Sequence, residues 1–210
     1  MSRAAGILMP ITSLPGKYGI GCFSKEAYAF IDWLKEAGQT YWQILPIHPT
    51  SYGDSPYQSF STFAGNPYFI DLEELIEEGM LTREECDSMD FGDDEDDIDY
   101  EDQYQNRYIL LTMAYERSNI SQNPDYQRFV EENRWWLDDY ALFMALKTFF
   151  NGQCWNEWPQ DIRLRWGYSM DYYRRELYFD IEFQMFLQFY FFRQYWRLKA
   201  YANKNHIKII

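Results

Sequence analysis

The chain has 210 residues and a net charge of −14; 47 % of it is apolar and 20 % aromatic. That supports one or two domains with a packed core and excludes disorder over most of the length. The acidic balance argues against nucleic acid and anionic membrane as partners, while a neutral ligand would be indifferent to it, and no apolar run is long enough to predict a transmembrane helix.

Residues 4–12 are apolar and end in Ile11-Thr12-Ser13, which predicts a buried strand. A turn with Pro15, Gly16, Gly19 and Gly21 follows. It lacks both a Gly-Lys-Ser/Thr element and dinucleotide spacing, so it reads as a tight strand-to-helix turn rather than a phosphate loop. Ser24 is placed to cap a helix with apolar residues at Ala27, Phe30, Ile31 and Leu34, and Gly38 to end it in the left-handed region. Residues 40–47 predict a second strand, stopped by Pro46 and Pro49, with Trp42 in its core. Strand, turn, helix and strand make a βα unit that repeats, so the fold class is α/β with the first two strands parallel. Both strands are nearly continuous apolar runs, as strands covered on both faces are.

The loop 48–67 therefore leaves the C-terminal end of the second strand, the end at which parallel βα architectures bind ligands. It sets Tyr52, Tyr57 and Phe60 among small hydroxyl residues. Asp54-Ser55-Pro56 reads as a turn presenting Tyr57. A flat ring beside carboxylate and hydroxyl groups suits a sugar, with the ring on its C–H face. The competing reading is a structural loop whose tyrosines fill a local core. His48, at the strand end, reads as structural.

Asp71-Leu72-Glu73-Glu74 and Thr82-Arg83-Glu84-Glu85 each predict a capping box and a short helix. The acidic run within 90–102 lacks the glycine and closing ligand of a calcium loop and reads as a solvated linker. From Asp102 the pattern is helical. It has one stripe at Tyr104, Tyr108, Leu111 and Tyr115, and a second at Leu137, Tyr140, Ala141, Met144 and Thr148, both expected to pack against other helices. Trp155, Trp158 and Pro159 mark a turn before a short helix with Leu164 and Trp166. A last helix over 171–203 is aromatic nearly all round, and Ile207–Ile210 predicts the start of a third strand. Such a strand left unpaired is a sticky edge, so the chain is read as stopping inside a larger fold. Cys22, Cys86 and Cys154 are widely spaced and odd in number, which predicts free thiols, no metal site and, with no signal-peptide pattern after Met1, a cytoplasmic protein.

Thr12-Ser13-Leu14-Pro15-Gly16-Lys17-Tyr18-Gly19-Ile20-Gly21, Trp42-Gln43-Ile44-Leu45-Pro46, Asp54-Ser55-Pro56-Tyr57-Gln58 and Phe63-Ala64-Gly65-Asn66-Pro67 together resemble the opening of the amylomaltase (disproportionating enzyme) family of 4-alpha-glucanotransferases. Ala141–Lys147 and Trp155-Asn156-Glu157-Trp158-Pro159 continue the resemblance in the same order. It implies the N-terminal part of a (β/α)8 TIM barrel of the α-amylase clan. Residues 1–79 would carry the first βα units, 80–168 a helical insertion, and 169–210 the return helix and an incomplete third strand. It implies transfer of α-1,4-glucan segments between maltodextrins with retention, without a cofactor, and a remaining part of the barrel as partner. The catalytic carboxylates would lie beyond residue 210, so no residue here is assigned to catalysis and this piece alone is expected to be inactive. Asp71 has a sufficient role as a helix cap, and Glu157 in a packing turn.

The resemblance places the Asp54–Tyr57 loop beside the acceptor sugar. It implies that Tyr57 and Ser55 contact the sugar, that Asp54 orders the loop, and that Tyr52 offers a further ring. A different class of reading is a non-catalytic glucan-binding or interaction protein on a degenerate barrel. A hydrolytic member of the clan is a third, against which the acceptor loop argues.

Overall fold

The computed structural model describes residues 3–51, 53–92 and 97–210. These form two compact units: residues up to Ser118 together with Tyr190–Ile210, and residues Asn119–Phe189.

The first unit holds a three-stranded parallel sheet in the order β1 (Gly6–Leu8), β2 (Tyr41–Gln43), β3 (Lys208–Ile209). Gly6 pairs with Tyr41 and Leu8 with Gln43, while Tyr41 and Trp42 pair on their other side with Lys208 and Ile209. The third strand expected at Ile207–Ile210 is present and paired. All three strands are shorter than the apolar runs that announce them. Pro10 has no N–H to continue a ladder, and the chain turns at once into a 3-10 turn over Ile11–Ser13. Nor is β1 the buried strand expected from its composition. Gly6 and Leu8 are exposed, Leu8 at 55 %, and Ile7 is half-buried. Trp42 is the opposite case: fully buried, with its indole N–H donating to the Met9 carbonyl at 2.8 Å.

Helix α1 (Lys25–Glu36) connects β1 and β2 and buries Ala27, Ile31 and Leu34, with Phe30 half-buried against Trp42. Gly38 follows it at φ +69° as expected. Ser24 stands at the cap position, but its hydroxyl donates to Glu26 at 2.6 Å instead of accepting a backbone N–H. The Glu26 carboxylate, two residues on, draws the hydroxyl towards itself in a charge-assisted bond.

Helix α2 (Leu72–Glu77) starts at Asp71, whose carboxylate accepts the Glu73 N–H at 3.1 Å. Here the reciprocal half of the expected capping box is missing: the Asp71 N–H donates to Gln194 Oε1 at 2.7 Å, and Glu74 turns away to Arg193 and Arg197. Helix α3 (Arg83–Asp87) has the full box, between Thr82 and Glu85. Helix α4 (Tyr100–Asp102) runs through a π-helical turn, Gln103–Arg107, into α5 (Tyr108–Arg117). Of the predicted stripe Leu111 is buried and Tyr108 and Tyr115 are half-buried, but the face is shifted at its start. Tyr104 is 62 % exposed, whereas Gln103 and Arg107 are fully buried with Leu110, Leu111 and Ala114. Gln103 donates to the Tyr18 carbonyl at 2.7 Å. Arg107 donates through Nε to Gln103 at 2.9 Å and through Nη1 to the Ile70 carbonyl at 3.0 Å. A polar chain through the core thus ties the glycine-rich turn to the start of α2, and the polar residues escape a periodicity search that counts only apolar side chains.

In the second unit α6 (Pro124–Phe149) is opened by Asn123, whose side chain accepts the N–H groups of Asp125 and Tyr126, with Pro124 in the first turn. Leu137, Tyr140 and Ala141 of its predicted stripe are buried, Met144 is half-buried and Thr148 is exposed. The short helix α7 (Gln160–Arg163) ends before Leu164 and Trp166, which lie outside it and are exposed. The predicted last helix is two, α8 (Gly167–Glu176) and α9 (Tyr178–Lys204), broken at Leu177. Along α9 Phe183, Phe186, Phe189 and Tyr190 are buried and Phe179 is exposed. The three cysteines are free thiols, and among the described residues no helix is long and apolar enough to cross a membrane and no cluster of metal-ligating side chains occurs.

Candidate functional site

A cavity of about 330 Å³ opens in the first unit where β1 and β2 end. Its walls are the segments that follow each strand, Pro10–Ser13 after β1 and Leu45, Pro46 and His48 after β2, together with Thr50, Asp54 and Pro56 of the long loop. The C-terminal edge of parallel strands is where backbone ends and loop side chains converge, so the cavity lies where the topology alone would put a ligand.

The loop is built as a small hairpin. Asn66 N–H donates to the Ile47 carbonyl and closes its base, and Thr50 and Ser59 form an antiparallel bridge. Ser51 N–H donates to the Gln58 carbonyl at 3.0 Å, and Gln58 N–H to that of Ser55 at 3.0 Å. The turn is therefore Ser55–Gln58, one residue later than the sequence suggests, with Pro56 at the position whose φ it presets. Gly53 and Asp54 both have positive φ, +85° and +53°. An aspartate tolerates that region better than most residues, and here the Thr50 hydroxyl donates to its Oδ1 at 3.3 Å. Asp54 thus both orders the loop and lines the cavity.

The other expected contact residues are placed differently. Ser55 Oγ accepts the Tyr57 N–H at 3.4 Å and so stabilises the turn; neither residue lines the cavity, and Tyr57 is 75 % exposed. Tyr52 lies outside the described residues.

Tyr68 and Tyr100 line the cavity and were missed as site residues. Tyr68 is hidden in the apolar triplet that precedes α2, and Tyr100 follows an acidic run read as linker. That run in fact contributes Asp97 and Ile98 to the lining, while Asp93–Asp96 lie outside the described residues. Burial first, and then the Asp54 carboxylate, push the phenols of both Tyr68 and Tyr100 above their usual range, so both remain protonated donors. The Nδ1 of His48 contacts the Ala64 carbonyl at 3.1 Å, which requires the proton on that nitrogen, while the ring also lines the cavity. Among the described residues the lining combines rings, hydroxyl groups and carboxylates with one imidazole and no lysine or arginine, a set suited to a neutral polyhydroxylated ligand.

Comparison with known proteins agrees with the sequence resemblance. A family model described as 4-alpha-glucanotransferase matches residues 9–210. The 4-alpha-glucanotransferase of Clostridium butyricum is 50 % identical over 202 residues, which are 96 % of this chain and 42 % of that protein. That of Thermus thermophilus is 44 % identical over 214 residues, with 100 % and 42 % covered. A solved amylomaltase from Streptococcus agalactiae, in complex with acarbose, superposes with a TM-score of 0.92 at 39 % identity, over 99 % of this chain and 42 % of that one. The chain thus spans 42 % of the length of each of these relatives.

Proposed function

The chain belongs to the 4-alpha-glucanotransferase family, and on that premise we propose that the protein transfers α-1,4-glucan segments from one maltodextrin to another. The observation that carries this reading is the family match over residues 9–210. The reaction is a retaining double displacement. One carboxylate attacks the anomeric carbon while a second, protonated one about 5 Å away gives its proton to the leaving oxygen. The second then takes the proton of an incoming sugar hydroxyl in place of water, and transfer outruns hydrolysis when that acceptor is held in line.

Both carboxylates belong to the part of the relatives that residues 1–210 do not cover, so these residues alone do not catalyse. In barrel connectivity, residues 1–79 are the first βα units, 80–168 a helical insertion, and 169–210 the return helix and third strand. The partners are donor and acceptor glucan and the rest of the barrel, without nucleic acid or membrane, and the protein works in the cytoplasm. The Asp54–Tyr57 loop receives the acceptor. Tyr57 stacks on or hydrogen-bonds the sugar, Ser55 hydrogen-bonds it, Asp54 holds the loop, and Tyr52 supplies a further ring. The high exposure of Tyr57 fits a ring whose partner is a ligand rather than the core.

Incubating the full-length protein with maltotriose, and chromatographing the products, tests the activity. Glucose together with longer maltodextrins is the expected outcome; maltose and glucose alone would make it a hydrolase. Tyr57→Ala should raise the KM for an acceptor sugar about fivefold or more with the fold intact, the loss of one ring contact. Transfer by residues 1–210 alone would overturn the placement of the carboxylates.

A further inference from the structure

The second unit has its own cavity, about 310 Å³, whose floor includes Leu142 and Ile162 and whose rim carries Trp155, Arg163, Arg165 and Asp139. The two tryptophans of the Trp155–Pro159 turn have different fates. Trp158 is buried, packs on Phe143 and Phe150, and donates its indole N–H to the Gln153 carbonyl. Packing accounts for it fully. Trp155 is 55 % exposed, an indole left at the mouth of a cavity.

Arg165 is the second anomaly. It ends α7 at φ +58°, with its own N–H donating to Ile162 and the Trp166 N–H reaching back to the Asp161 carbonyl. That bonding pattern is a complete left-handed helix cap, the position at which glycine is the default and any Cβ is strained. A side chain kept there at a cost in backbone energy points to a use for it. Its guanidinium lies 2.7 Å from Asp139 Oδ1. Beside it, Arg163 is engaged by the Asn156 carbonyl at 2.8 Å.

An exposed indole, an apolar floor and a planar ion pair are the complement of a sugar: the ring covers C–H bonds, and the guanidinium and carboxylate give and take hydrogen bonds. The carboxylate pairs with Arg165 and Arg163 is held by a neutral backbone carbonyl, so the rim keeps one net positive charge on a strongly acidic chain; the apolar floor and exposed indole, rather than charge, favour a neutral sugar. We propose that this cavity is an accessory site for long α-glucan, built from residues other than those of the loop that receives the acceptor. The choice of α-glucan among neutral sugars rests on the proposed transferase activity.

Full-length wild type, Trp155→Ala, Trp155→Phe and Arg165→Gly decide it by two measurements. The first is retardation in native gels containing soluble amylose plus saturating maltotriose, which reports binding whether or not transfer occurs. The second is the ratio of the KM for amylose to that for maltotriose. Trp155→Ala and Arg165→Gly should lose most of the retardation and raise the ratio about fivefold, and Trp155→Phe should retain both. Arg165→Gly relieves the strained backbone, so its Tm should hold or rise while binding falls, which separates a lost contact from a damaged fold. Unaltered retardation in both Trp155→Ala and Arg165→Gly would overturn the site, as would a wild type that amylose does not retard. Wild type that is retarded but transfers nothing from maltotriose would instead overturn the proposed activity and leave the site standing.

Discussion

Asp71 and Glu73, two residues apart at the start of α2, are pulled in opposite directions. Burial pushes the Asp71 carboxyl up to about 6, despite the Glu73 N–H it accepts and the Arg107 charge. The Arg83 fork, bonded at 2.8 and 2.6 Å, holds Glu73 down at about 2, helped by the Tyr18 hydroxyl at 2.7 Å. Each shift is a dependence of stability on pH, and the signs differ. Asp71 binds its proton more tightly folded than unfolded, so its contribution is fully present below its unfolded value near 4 and is lost as pH rises through about 6. Glu73 contributes above its unfolded value of 4.5 and loses that contribution as pH falls towards about 2. Urea unfolding across pH 2–8 should therefore show wild type gaining stability relative to Asp71→Asn between pH 6 and 4, and Arg83→Ala flattening the decline below pH 4.5. An Asp71→Asn variant that tracks wild type from pH 6 to 4 would show that Asp71 is not protonated there.

At the scale of elements, the stretch leading out of the hairpin is fixed by contact with α9. A Cβ on Gly65 would run into the ring of Phe191, which is almost fully buried. Phe191 in turn packs on Phe23 at 5.2 Å and Phe69 at 6.5 Å, so its ring has no room to yield. Gly65→Ala should cost about 1–3 kcal/mol, read as a lowered urea midpoint with unchanged slope.

The same comparison shows which elements a sequence declares. Caps and stops written in local chemistry, Asp71, Thr82 and Gly38, fall where the residue types put them. The parallel pairing of β1 and β2 follows from the βα repeat, and so does the place of the cavity at their C-terminal edge. Tyr104 and Gln103 exchange the roles that hydrophobicity assigns them because a π-helical turn shifts the face, and because buried Gln103 and Arg107 bond to each other and to the Tyr18 and Ile70 carbonyls, partners no apolar count registers. Tyr68 and Tyr100 reach the cavity through tertiary approach of segments far apart in the chain, which no local pattern encodes. Of the described residues expected at the site only Asp54 lines the cavity, and its aromatic wall was not legible.

For the whole molecule, the order of the sheet separates what is near in sequence from what is late in arriving. One side of β2 pairs with β1, through the short α1 connection, while its other side pairs Tyr41 with Lys208. On a ribosome adding about 5–20 residues per second, that second edge of β2 waits roughly 8–35 s for the strand that covers it. Throughout that interval an apolar parallel strand offers unpaired N–H and carbonyl groups to any other nascent chain. Ribosome-bound chains stalled near residue 150 should therefore be cut by protease within residues 40–47, and chains extended well past Ile210 should be protected there. Protection already at the shorter length would mean that another segment guards the edge during synthesis. The helical residues between the two strands thus set a waiting time as well as a shape, and slower translation through them would lengthen the period in which this protein most needs a chaperone.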